Sequence, residues 1–131
     1  MILIDTHVLV WWSNGSKNLS KKAFFEIEKA KKDRQICVSS ISFWEIALLV
    51  KSKRLEFSSG FENWHTYLEK LAFFRFIPVD NRIAIDSVNL PDFSTKDLAD
   101  RIIVSTAINL PAKLITNDKR ILKYPSVQAI W

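Results

Sequence analysis

Four acids from distant parts of the chain, Asp5, Glu45, Asp100 and Asp118, have the side-chain type and setting that suit a hard divalent cation. Asp5 ends the opening apolar run 1–4, and Asp118 follows a second such run at 113–117. Glu45 and Asp100 each stand near the start of a strongly apolar helical segment. In an α/β sheet the carboxyl ends of parallel strands and the amino ends of the following helices share one edge, so four such acids meet there. A carboxylate cluster repels itself, and a bound cation relieves the repulsion.

Each acid also has a local explanation. Asp5 can cap a helix over 6–12. Against that alone stand its apolar flanks, Ile4 before it and Val8-Leu9-Val10-Trp11-Trp12 after it, where a carboxylate must be paired, protonated or metal-bound. Ser42-Phe43-Trp44-Glu45 reads as a capping box, with Ser42 the cap and Glu45 reaching back to it. Asp100 in a first turn suits the helix dipole, yet it shares a face with Ile103, Val104 and Ala107 and so points inward. Asp118 can cap a short helix over 119–123, while Thr116 and Asn117 before it offer further oxygens. Asp97 stands four residues before Arg101, which predicts an ion pair and leaves Asp97 a supporting role, as for Thr6 beside Asp5.

The elements that position these groups alternate. Short apolar runs at 2–4, 36–38, 76–79, 114–116 and 127–130 suit strands buried on both faces of a parallel sheet. Between them Phe43, Ile46, Ala47 and Val50 form a full helical stripe, and Phe61, Trp64, Leu68, Leu71 and Ala72 give another. The stretch 97–110 is apolar nearly all round and predicts a buried helix. Asp80 and Ser42 read as N-caps, and Pro91 and Pro111 as helix punctuation. The expected architecture is one domain over 1–131, a three-layer α/β/α fold whose mostly parallel sheet has four to five strands.

Composition narrows the function. Two glycines leave no glycine-rich phosphate loop, and two histidines with one cysteine leave no zinc site or disulfide framework. Cys37, in an apolar run, reads as a core thiol. No nucleophile triad is supported. No run is long enough to span a bilayer and the start lacks a signal-peptide pattern, so a cytoplasmic, membrane-free protein is expected. A net charge of +5 fits a polyanionic partner, and Lys51, Arg54, Lys119 and Arg120 stand near the acids.

Taken together, the segments 3–11, 39–47 and 97–107, the run Leu114-Ile115-Thr116-Asn117-Asp118 with Ile121, and the closing 124–131 resemble the PIN-domain ribonuclease toxins of the VapC kind. The resemblance spans the chain. It departs at Leu98, where proline is common, and at Ser94 and Thr95, where a histidine is common shortly before the acid. It implies endonucleolytic RNA hydrolysis with one or two Mg²⁺ or Mn²⁺ ions held by Asp5, Glu45, Asp100 and Asp118. It also implies a small antitoxin partner and homodimerisation or a higher toxin–antitoxin assembly. Two other readings share the fold class. One is a receiver-type phosphoacceptor domain with Asp80 as acceptor; the other is a catalytically silent module that binds RNA or a partner.

Overall fold

The computed structural model describes residues 1–131. The chain alternates strand and helix as β1 (Ile2–Ile4), α1 (Thr6–Asn14), α2 (Lys21–Lys32), β2 (Ile36–Ser39), α3 (Ser40–Lys51), α4 (Phe61–Glu69), β3 (Phe74–Ile77), α5 (Asn81–Val88), α6 (Leu98–Asn109), β4 (Lys113–Ile115), α7 (Lys119–Leu122) and β5 (Ala129–Ile130). All five strands run parallel in the order β3-β2-β1-β4-β5. The direction of winding reverses at β1. Such a switch point opens a crevice at the carboxyl ends of the two flanking strands, here β1 and β4.

Side-chain alternation along the strands produces the three layers. Ile2, Ile4, Ile36, Val38 and Ile115 join one core with Val8 and Leu9 of α1, Ile27 of α2, Ile46 of α3 and Leu68 of α4. Leu3, Cys37 and Leu114 point the other way, onto Ile103, Val104 and Ala107 of α6 and Ile121 of α7. Strands covered on both faces need no polar side chain, hence the continuous apolar runs. Cys37 is fully buried, and α6 is buried nearly all round. No helix is long and apolar enough to cross a membrane.

Several local expectations change. The third strand occupies 74–77 rather than 76–79. Its pairing with β2 runs from Ile36 opposite Phe74 to Ser39 opposite Ile77, and Pro78, lacking an N–H, ends it. The last strand is shortened to Ala129–Ile130. Ser39, not Ser42, caps α3 and accepts from the Ile41 N–H at 3.2 Å, so no capping box forms and Glu45 sits in the second turn. Two helices end in left-handed closures without glycine, at Arg34 (φ 54°) and Lys53 (φ 61°). After Lys53, the Arg54 N–H bonds the Leu49 carbonyl at 2.9 Å. Asp80 caps α5 by accepting from the Ile83 N–H at 2.9 Å, as expected. It follows the edge strand, two strands removed from the crevice, and the strand order is not the 2-1-3-4-5 of receiver domains, so the phosphoacceptor reading is dropped.

The expected Asp97–Arg101 ion pair does not form. The Arg101 guanidinium instead turns to four main-chain carbonyls, those of Ser87 (2.8 Å), Val88 (3.2 Å), Phe93 (3.0 Å) and Thr95 (2.7 Å), and lies over the Phe93 ring. Five donors in a rigid fork can serve a loop that has few hydrogen bonds of its own. Arg101→Met strips those carbonyls of their donors and is expected to cost at least about 3 kcal/mol, given about 1.5–3 kcal/mol for a hydrogen bond to a charged group. Denaturant titration measures the loss, and proteolysis within 89–97 should quicken; an unchanged midpoint would remove the clamp from the account.

Candidate active site

Asp5 leaves β1 directly into the crevice and is buried. Its Oδ1 accepts from the Thr6 N–H at 2.7 Å, capping α1, and its Oδ2 accepts from the Thr116 hydroxyl of the chain after β4 at 2.6 Å. Thr116 in turn accepts from the Asp118 N–H at 3.1 Å. Thr6, also buried, donates its hydroxyl to Ser42 of α3 at 2.9 Å. These bonds tie three elements together around one carboxylate. Asp118 caps α7 as expected, accepting from the Arg120 N–H at 2.8 Å. Asp97 caps α6 by accepting from the Asp100 N–H at 2.9 Å, which fixes the turn that carries Asp100.

The acids share one electrostatic field. Burial pushes the Asp5 carboxyl above its ordinary value, against the Thr116 hydroxyl and Thr6 N–H that favour the charged form. Burial likewise raises Glu45, opposed by the Thr6 hydroxyl and reinforced by the charges of Asp97 and Asp5. Asp100 is pushed up to about 7, by burial first and then by Asp97, Asp5 and Asp118, with Arg120 opposing. Asp118 goes the other way: burial alone would raise it, but hydrogen bonds and charge from Arg120 outweigh burial and hold it low. Arg120 bridges two of the acids, with Nη2 2.9 Å from Asp118 Oδ2 and 3.2 Å from Asp100 Oδ2.

Asp5, Glu45, Asp97, Asp100 and Asp118 therefore converge, with Thr6 and Thr116 among them. Asn117 and Lys119 are exposed beside them, and Lys51 is exposed at the far end of α3. Arg54 shares with Glu45 and Asp97 a groove of about 360 Å³. Arg120 faces the acids themselves, as its place two residues after Asp118 suggested, and its bridge to Asp100 is what the fold adds. The contribution of Ser42 also escaped the sequence, because its spacing from Glu45 imitates a capping box. Thr95 is buried with its hydroxyl unpartnered.

The donor set is oxygen throughout, which suits Mg²⁺ or Mn²⁺ and not zinc. No three His, Cys, Asp or Glu side chains enclose an ion directly as they stand. A Mg²⁺ ion needs only one or two carboxylates, with water completing its shell, so the arrangement fits.

An Asp100 carboxyl that holds its proton up to about 7 in the folded chain ionises near 3.9 when unfolded, so the folded state binds the extra proton between those values. The stability it contributes is full below about 4 and is lost as pH rises towards about 7. Asp100→Asn cannot ionise, and the exposed Arg120 end of the pair it loses carries little stability. In chelator, the variant should melt close to the parent at about pH 4 and above it at about pH 8. A gap that does not change with pH would refute the raised carboxyl.

The PIN domain family matches residues 2–127. Ribonuclease VapC22 of Mycobacterium tuberculosis (strain ATCC 25618 / H37Rv) is 32% identical over 133 aligned residues, covering 99% of this chain and 98% of the relative. Among solved structures, FitAcB from Neisseria gonorrhoeae superposes with a TM-score of 0.71 at 20% identity, covering 100% of this chain and 97% of the other. VapBC2 from Rickettsia felis, bound to a DNA fragment from its promoter, gives a TM-score of 0.70 at 19% identity, with 99% and 98% covered. A toxin–antitoxin complex from Klebsiella pneumoniae gives 0.66 at 24%, with 100% and 97% covered. At those identities the structural likeness is one of fold. With its parallel sheet, its acids at the switch point and a family match over nearly its whole length, the chain belongs to the PIN domain family.

Proposed function

We propose that this protein is a metal-dependent endoribonuclease, the toxin of a toxin–antitoxin pair, and that Asp5, Glu45, Asp100 and Asp118 are its catalytic acids. The observation that carries the reading is the convergence of acids from β1, α3, α6 and the β4–α7 turn, close enough to shift one another's ionisation. The similarity to a ribonuclease over almost the whole of both chains supports the reaction class.

Asp5, Glu45, Asp100 and Asp118 would hold one or two Mg²⁺ or Mn²⁺ ions, with Thr6, Asp97, Thr116 and Asn117 as supporting oxygens. When bound, such an ion lowers the pKa of water and offsets charge developing on the phosphate. The chain's own groups do the positioning. Thr116 and the Thr6 N–H aim both oxygens of Asp5, and Asp97 fixes the start of α6 and thus Asp100. The Asp100 proton is ready to leave near neutral pH, so this carboxylate becomes ionised as pH rises through about 7. Arg120 stands at the mouth, able to face a phosphate as well as the acids, and Lys51, Arg54 and Lys119 add positive charge for the RNA backbone.

One of the similar solved structures is a toxin–antitoxin complex, which supports a small antitoxin as partner. Exposed Ile85 and Val88 on α5 and Ile108 on α6 supply apolar surface for a homodimer formed through helices. With residues 1–131 taken as one nuclease domain, the expected site of action is the cytoplasm.

Purified antitoxin-free protein should cleave bacterial RNA with Mg²⁺ or Mn²⁺ and stop on chelation. Asp5→Asn, which keeps the shape of a buried side chain, and Asp100→Asn should each lose more than about 100-fold, beyond what a group that merely supports a ligand contributes. Sequencing the RNA ends that accumulate when the chain is expressed alone would name the cut site. RNA binding without cleavage in either metal would instead establish a silent binding module.

A further inference from the structure

Of the five tryptophans, Trp44 alone has no aromatic neighbour: Trp11 faces Trp131, Trp12 packs edge-on to Phe74, and Trp64 stacks on Phe57. Trp44 is 50% exposed, and Leu48, one turn further along α3, is 47% exposed. Both line the groove of about 360 Å³ that also holds Glu45, Asp97 and Arg54. An open indole face thus lies next in sequence to an acid of the active site. Arg54 is held there by the backbone, since the left-handed turn at Lys53 closes the Arg54 N–H onto Leu49.

We propose that this groove seats an unpaired nucleotide of the RNA, its base stacked on the Trp44 indole and its phosphate facing the Arg54 guanidinium. The proposal rests on the ribonuclease reading and deepens it by naming the side chains that would hold one base and its phosphate. The volume is at the lower end of the roughly 300–1,000 Å³ typical of small-ligand sites, which suits one nucleotide. A base inside a duplex cannot offer its face to a side chain, whereas an unstacked base can. An apolar protein segment would use Trp44 and Leu48 but leave the Arg54 charge desolvated without a partner, which disfavours it as occupant.

The test uses the full chain, with Ca²⁺ in place of Mg²⁺ and fluorescein-labelled short RNAs: a single strand, the same strand annealed to its complement, and an abasic strand. Anisotropy should show the single strand bound more tightly than the duplex. Trp44→Leu should weaken single-strand binding about ten-fold, within the range of one lost base stack, while Trp44→Phe keeps most of it. The abasic strand should bind the parent and Trp44→Leu alike. Unchanged affinity in Trp44→Leu, or an equal loss on the abasic strand, overturns the proposal. So does a changed sedimentation coefficient with unchanged RNA affinity, which assigns the indole to a protein contact. Cleavage assays in Mg²⁺ separate the two levels. If the parent neither binds nor cuts RNA, the ribonuclease reading falls and takes this proposal with it; if Trp44→Leu cuts with the parent's KM, only the nucleotide seat falls.

Discussion

The structure depends on one buried carboxylate at the point where the sheet reverses its winding. Asp5 is carried there by β1, the central strand, and cannot be moved without moving the core that β1 anchors on both faces. A charge in such a place is costly unless its oxygens are bonded. One oxygen caps α1 and the other receives the Thr116 hydroxyl from beyond β4, so the bonds that satisfy the charge also close the crevice across the switch point. The Thr6–Ser42 bond extends this tie to α3, the helix of Glu45.

Around that centre the local needs of helices and the collective needs of the site coincide. Asp5, Asp97 and Asp118 are all N-caps, each favourable to its own helix dipole. Three helix starts aimed at one place bring three carboxylates with them, and the two further acids from within α3 and α6 add to the repulsion. Burial first, and this repulsion after it, holds the carboxyls of Asp5, Glu45 and Asp100 above their ordinary values. Asp118 goes the other way, because Arg120 two residues on folds back over it. A stable scaffold thus carries a local electrostatic strain, in the form of carboxylates crowded at one edge.

The segment between α5 and α6 has no regular structure, yet it must end with Asp97 in place to start α6. Arg101 solves this from inside α6 by collecting two of the segment's carbonyls, those of Phe93 and Thr95, together with two at the end of α5, so the helix that bears Asp100 also anchors the loop before it. The Asp97 carboxylate is thereby left to cap the helix and face the acids rather than being neutralised by a neighbouring guanidinium.

The alternation of strand and helix, the parallel sheet, the identity of the core residues and the acids at element ends were all legible in the sequence. Each rests on periodicity or on cap chemistry, which act over a few residues. Strand and cap limits were less legible: the pairing partner and Pro78 decide where β3 begins and ends, and the end of β2 decides that Ser39, not Ser42, caps α3. The left-handed turns at Arg34 and Lys53 lack the glycine that would announce them. Partner choice was not legible at all. Local spacing favoured Asp97 for Arg101 and a cap for Glu45, whereas the fold gives Arg101 a cage of carbonyls, sets Arg120 between Asp118 and Asp100, and joins Asp5 to a hydroxyl 111 residues away. The sequence alone determined which groups reach the crevice; only the tertiary structure decided which of them bond there, because those distances are set by the register and winding of the sheet.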